Sequence, residues 1–143
     1  MIREPEVVFS PWTPWTERAV LKTDVGHGGV YIWAKRLPRE PDLLVWPELD
    51  ERIVYIGETK NLNDRPLSWH NRIARYKQLF GDPDLSNLYV CICRAFESGS
   101  EEERELRAFT QYLEDKLDWE FTRKYGRRPA MHFKEGKTGP KRG

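Results

Sequence analysis

The alternation of apolar and polar positions predicts three β-strands. Residues 30–34 alternate, so that Tyr31 and Trp33 share one face of the first strand. Residues 53–56 are all apolar or aromatic, which is typical of a short buried strand. Residues 88–93 are almost entirely apolar, and this pattern predicts a strand at the centre of the sheet.

Two longer stretches have the helical period. A helix is predicted over 64–80, with Asp64 as its N-cap, from an apolar stripe formed by Trp69, Ile73, Tyr76 and Phe80. A second helix is predicted over 101–125, opened by a capping box of Ser100 and Glu103 and ended by Gly126. Its inward stripe consists of Leu106, Phe109, Leu113, Leu117 and Phe121.

The remaining segments are predicted to be connections and ends. Residues 1–26 form a lead-in that packs on the core and contains a short helix over about 14–21. The glycine-rich stretch 26–29 predicts a flexible turn, and 35–51 predicts a long loop with an apolar patch at 43–46. The main domain then spans 27–126 and a basic tail spans 127–143, of which the part up to about Phe133 is expected to pack.

Length and composition favour a single globular domain. The chain has 143 residues, and 38% of them are hydrophobic, which is enough for a real core. Together with the predicted elements, this indicates an α/β (α+β) fold. We expect a small central three-stranded sheet, mixed or antiparallel, flanked by the two helices.

Charge is balanced over the whole chain but not along it. The formal net charge is +1, yet residues 122–143 contain eight Lys or Arg against one Glu. A local basic tail is typical of proteins that bind a polyanion such as nucleic acid, and it is equally common as a solubility feature.

The two cysteines, Cys91 and Cys93, fall on one face of the third predicted strand. They lack the spacing of a metal site, so we interpret them as buried free thiols in a reducing compartment. The chain has no N-terminal apolar signal and no apolar run of about 18 residues, so a cytoplasmic location without a membrane span is expected.

Two aromatic tripeptides precede an arginine. Gly29-Val30-Tyr31 lies in the first strand, Tyr55-Ile56-Gly57 closes the second, and Arg65 stands near the start of the first helix. At Gly57 the missing Cβ allows a turn or the close approach of a ligand. A tyrosine hydroxyl, an open backbone and a guanidinium in one place suit a phosphate group.

This ordered set, with Asn61-Leu62 before the arginine, resembles the signature of the GIY-YIG nuclease superfamily over about 28–117. The resemblance implies a metal-dependent endonuclease that hydrolyses DNA phosphodiester bonds. It implies that Tyr31 activates water, that Tyr55 positions water or phosphate, and that Arg65 stabilises the phosphate. His70 resembles the histidine that follows the arginine in that family.

The resemblance also implies one Mg²⁺ (or Mn²⁺) ion held by a glutamate on the helix after the third strand. We choose Glu105 because it lies four residues before Phe109 and can point toward the sheet. Glu102 is the second choice, and three further glutamates compete, namely Glu101, Glu103 and Glu114. DNA contacts are predicted for Gly57, Lys60, Arg72, Arg75, Arg127 and Arg128.

Three departures from the family pattern leave alternatives open. The tripeptides are far apart, with 23 residues between Tyr31 and Tyr55, and His70 follows Arg65 by five residues where the family often has four. No Asn occurs after residue 87, and His132 is the nearest polar substitute for the late asparagine of the family. The alternative is a catalytically inactive nucleic-acid-binding module on the same fold. A protein-interaction domain that uses the patch 43–46 is a second alternative. Specificity would come from the chain's own loops, from a homodimer or from a targeting partner.

Overall fold

Four antiparallel strands form one sheet in the computed structural model, which describes residues 6–36, 49–64 and 70–132 of the chain. The strands are β1 (Thr13–Pro14), β2 (His27–Lys35), β3 (Ile53–Thr59) and β4 (Leu88–Glu97), in the spatial order β1-β4-β2-β3. The α+β class is confirmed, and so is the central place of the third predicted strand, β4. Three strands were expected, and the fourth arises because the lead-in pairs with β4, with Thr13 opposite Val90.

Helices cover both faces of this sheet. Helix α1 (His70–Phe80) packs on the face that carries Tyr31 and Trp33, and α2 (Glu103–Tyr125) packs on the face that carries Val30 and Ile32. The alternation predicted for the first strand is therefore confirmed. The end of α1 at residue 80 agrees with the sequence, whereas its predicted start at 64 cannot be compared because 65–69 lie outside the described residues.

Two glycines, Gly28 and Gly57, make room for neighbouring side chains within the strands. The chain does not turn at either of them, contrary to the turn predicted for 26–29 and the turn allowed for at Gly57. β2 already begins at His27, and a Cβ on Gly28 would lie 2.1 Å from the ring of Phe96. β3 continues through Gly57 to Thr59, and a Cβ on Gly57 would lie 2.6 Å from the ring of Tyr31. In both places the missing side chain permits a close contact across the sheet rather than a change of direction.

The start of α2 differs from the predicted capping box. The carboxylate of Glu103 accepts a hydrogen bond from the backbone N–H of Gly99 at 2.6 Å. The hydroxyl of Ser100 has no hydrogen-bond partner. The end of α2 agrees with prediction, because Gly126 adopts a left-handed conformation with φ of 73°.

The two ends of the described chain pack on the domain. Helix η1 (Trp15–Leu21) is a 3-10 helix, and the ring of Trp15 meets Trp33 edge-on at 5.3 Å. Helix η2 (Ala130–His132) follows α2 and buries Met131. Cys91 and Cys93 are buried free thiols, as expected, and burial raises the pKa of both.

Several predicted features lie outside the described residues: Arg65, the apolar patch 43–46 and the end of the tail from 133. Within the described ranges, none of the helices has the length and apolar character needed to cross a membrane.

Candidate functional site

The two signature tyrosines lie side by side on neighbouring strands. Tyr31 on β2 is directly opposite Gly57 on β3, and Tyr55 is opposite Trp33. The ring centroids of Tyr31 and Tyr55 are 5.8 Å apart, and their side chains share a hydrogen bond. The antiparallel register thus brings together the two tyrosines that the sequence singled out.

Gly57 creates the space that the Tyr31 ring occupies. Both the Cζ and the hydroxyl oxygen of Tyr31 would lie 2.6 Å from a Cβ at this position. Gly57 is itself buried beneath this ring. Its predicted role as a nucleic-acid contact does not agree with this burial, and the glycine instead fixes the position of Tyr31.

The ring of Tyr55 has a histidine and an arginine as further neighbours. His132 from η2 stacks on it with a centroid distance of 4.5 Å and an angle of 14° between the planes. The guanidinium of Arg72 from α1 lies 4.9 Å from the centroid of the same ring. Residues from η2, β3 and α1 therefore meet at Tyr55.

His132 is held in place from two sides. Its Nε2 lies 2.7 Å from the carbonyl oxygen and 3.0 Å from the backbone nitrogen of Ile56, on the outer side of β3. Its Nδ1 lies 3.4 Å from the guanidinium of Arg128, which forms an ion pair with Asp118 at 2.8 Å. Burial lowers the pKa of His132 to about 4, so the ring is neutral at pH 7.

A half-buried carboxylate of α2, Glu114, acts on this cluster through its charge. Burial, followed by the charge of Glu58, raises the pKa of Glu114 to about 7. The charge of Glu114 also acts on the hydroxyl of Tyr31. We call Tyr31, Tyr55, Arg72, Glu114 and His132 the tyrosine site.

The glutamates chosen from the sequence lie elsewhere on α2. Glu105 and Glu102 are both exposed. Glu105 precedes Glu114 by nine residues, or about 14 Å along the helix axis. It shares the outward face of α2 with Tyr112, seven residues later, so the expectation that it points toward the sheet is wrong.

The surroundings of Tyr31 favour its protonated form. Burial raises the pKa of this tyrosine well above its ordinary value, and the charge and hydrogen bond of Tyr55 add to the effect. The charge of Arg72 acts in the opposite direction and lowers the pKa. A role as a base at neutral pH therefore needs more positive charge than the described residues supply.

The predicted DNA-contacting cations are spread around the domain. Lys60 is exposed after β3, and Arg75 on α1 is half-buried. The guanidinium of Arg127 lies against the ring of Phe121 at 5.4 Å, and that of Arg128 is paired with Asp118. His70 begins α1, but its side chain is not among those described, and neither is Arg65.

Comparison of the chain with known proteins finds no relative. No protein-family model matches the chain, and neither the curated proteins nor the solved structures contain a match. Among the described residues, no group of three or more His, Cys, Asp or Glu side chains is arranged to hold a metal ion.

Proposed function

We propose that the protein is a metal-dependent endonuclease that hydrolyses DNA phosphodiester bonds on a GIY-YIG-like fold. The observation that carries the proposal is the contact of Tyr31 with Tyr55 and Gly57 across β2 and β3. If the two tripeptides matched the signature only by chance, Tyr31 and Tyr55 would not be expected to lie side by side. Nor would Gly57 be expected to lie directly under the ring of Tyr31.

The metal-binding role passes in this proposal from Glu105 to Glu114. Burial is the main cause of the raised pKa of Glu114, and repulsion by Glu58, Asp115 and Asp118 adds to it, while Arg128 opposes it. A cation bound there would relieve this repulsion, and a carboxylate oxygen is a ligand suited to Mg²⁺ or Mn²⁺. One carboxylate fits an ion that keeps water and phosphate oxygens as its other ligands. When bound, such an ion supplies positive charge to the reacting phosphate.

The chain's own groups divide the remaining work. The deprotonated side-chain oxygen of Tyr31 accepts a proton from the attacking water, whose oxygen forms the new bond to phosphorus as the bond to the leaving sugar oxygen breaks. The leaving oxygen then takes up a proton from solvent. Tyr55 orients Tyr31 through their hydrogen bond. The guanidinium of Arg72 favours the deprotonated form of Tyr31. Arg65 takes the role that the resemblance implies, which is to stabilise the phosphate oxygens. His132 keeps the Tyr55 ring in place.

A catalytically inactive DNA-binding module is the second candidate. Two observations favour it: the pKa of Tyr31 is raised rather than lowered, and the chain has no Asn after residue 87 to match the late asparagine of the resembled family. Such a module would bind DNA with an affinity that falls steeply with salt and would not cleave it.

Cleavage of supercoiled plasmid distinguishes the two candidates. We expect nicking or linearisation with Mg²⁺ or Mn²⁺ and none with EDTA. Tyr31→Phe should reduce the rate by about 10²-fold or more because it removes the proton acceptor and keeps the ring. Tyr112→Phe is the matched control, since Tyr112 is 57% exposed on the outward face of α2. Salt-sensitive binding without cleavage would replace the nuclease by the binding module.

A further inference from the structure

The outward face of α2 carries two large aromatic side chains. Tyr112 is 57% exposed and Trp119 is 62% exposed. They are seven residues apart, so both project from the same side of the helix, opposite the buried stripe that contains Leu113 and Leu117. Exposed aromatics in one patch are typical of a protein–protein contact.

The rings of Tyr112 and Trp119 both contact side chains of their own helix. Tyr112 lies 6.4 Å from Phe109, and the guanidinium of Arg123 lies 6.0 Å from the ring of Trp119. The outer surface of both rings therefore faces away from the domain, where a second molecule can pack on it.

The residues of this face are spaced so that the helix complements itself. Tyr112 and Trp119 are equidistant from the midpoint between Asp115 and Lys116. A two-fold axis at this midpoint, with two α2 helices antiparallel, would set Tyr112 of one copy against Trp119 of the other. The same axis would set the small Ala108 against the long Arg123.

Charge agrees with this arrangement. Asp115 and Lys116 are both exposed, and the axis would gather two aspartates and two lysines into one cluster without net charge. Two other cations of α2 are engaged within their own chain. Arg107 pairs with Glu58, and Lys124 donates to the carbonyl oxygen of Leu49.

We propose that the outward face of α2 is the interface of a homodimer, formed by antiparallel packing of two α2 helices with Tyr112 against Trp119 of the second copy. Tyr31 and Tyr55 lie on the other face of the sheet, with α1, so neither tyrosine is part of the proposed interface. A single helix pair buries less than the ~1,200 Å² of standard interfaces, so the dimer should dissociate on dilution. The proposal holds whether or not the protein cleaves DNA.

Sedimentation equilibrium of the full chain over a wide range of concentrations tests the proposal. We expect a concentration-dependent dimer whose dissociation constant rises about tenfold or more in Trp119→Glu and in Tyr112→Glu. Val20→Glu on η1 is the matched control, because Val20 is 74% exposed and lies outside α2. A monomer at every concentration, or a dimer that Trp119→Glu leaves intact, would overturn the proposal.

Charge reversal at the axis tests the register. Asp115→Lys would place four cations together and should weaken the dimer, whereas the double variant Asp115→Lys with Lys116→Asp restores neutrality and should restore association. Circular dichroism checks that each variant keeps its helices. Failure of the second substitution to restore the dimer would rule out this two-fold packing.

Discussion

At the scale of single residues, Tyr31 and Tyr55 lie side by side on neighbouring strands, whereas Glu105 is exposed on α2 and does not point toward the sheet. Tyr31 and Tyr55 could be found because strand alternation and the two tripeptides fix their positions. Glu105 and Glu114 could not be separated, because each borders an apolar residue of the same helix. Only the packing of α2 decides which carboxylate is half-buried beside Glu58 and which is exposed.

Gly57 and Tyr31 are expected to be energetically coupled. Gly57→Ala should lower the free energy of unfolding by about 1–3 kcal/mol, because the new methyl group would overlap the Tyr31 ring. The same substitution should cost much less in a Tyr31→Ala background, where the ring is absent. Denaturant unfolding of the four proteins of this double-mutant cycle measures the coupling. Equal costs in the two backgrounds would show that the ring does not lie over the glycine.

Glu114 should make the fold less stable as pH rises. Its pKa is raised to about 7 in the folded state from an ordinary value of 4.5, so the folded state binds more protons between these values. Stability contributed by the protonated form is lost as pH rises from 4.5 to 7. In Glu114→Gln, the loss of unfolding free energy between pH 4.5 and 7 should be smaller by about 1–2 kcal/mol. Solvent screening of the partly exposed carboxylate is already included in this value. Urea unfolding of variant and wild type across this range measures it, and parallel curves would contradict the burial of Glu114.

His132 should act in the opposite direction. Its pKa is lowered to about 4 from an ordinary 6.5, so the unfolded state binds more protons between these values, and stability is lost as pH falls from 6.5 to 4. His132→Gln should remove about 1–2 kcal/mol of this dependence. In the wild type, the opposite effects of Glu114 and His132 on the pH dependence of stability partly cancel. The stability of Glu114→Gln should therefore rise with pH more steeply than that of the wild type, and His132→Gln should reverse the slope.

At the scale of elements, periodicity predicted the cores of the helices and strands better than their ends. The apolar stripe of α2 and its glycine stop agree with the structure, because both depend on local rules. β2 and β3 are longer than predicted, because their glycines are covered by Phe96 and Tyr31, side chains distant in sequence. The two-residue β1 and the contact of η2 with β3 likewise depend on long-range packing and leave no periodic pattern.

The start of α2 gives a test at this scale. Glu103→Ala should destabilise the protein by about 0.5–1 kcal/mol, because it removes the acceptor for the Gly99 N–H. Ser100→Ala should be neutral or slightly stabilising, since the serine hydroxyl has no partner to lose. Thermal unfolding of both variants measures the difference. Equal losses would favour the capping box and contradict the arrangement described here.

At the scale of the whole molecule, the two tripeptides of the sequence resemblance meet in a tertiary contact between β2 and β3. Pattern and motif predicted an α+β domain, and the fold brings Tyr31, Tyr55, Arg72 and His132 together at β2 and β3, with the charge of Glu114 acting on Tyr31. Arg72 and His132 reach Tyr55 from separate elements. Their contacts could not be inferred from spacing along the chain, since they depend on how α1 and η2 dock on the sheet.

The most direct test compares the metal-dependent cleavage rates of Glu114→Gln and Glu105→Gln on the same plasmid DNA. Both changes remove one negative charge from α2, and only the first alters the tyrosine site. We predict that Glu114→Gln loses about 10²-fold or more in rate, while Glu105→Gln cleaves like the wild type. Loss of cleavage in Glu105→Gln with normal cleavage in Glu114→Gln would contradict the placement of the active site.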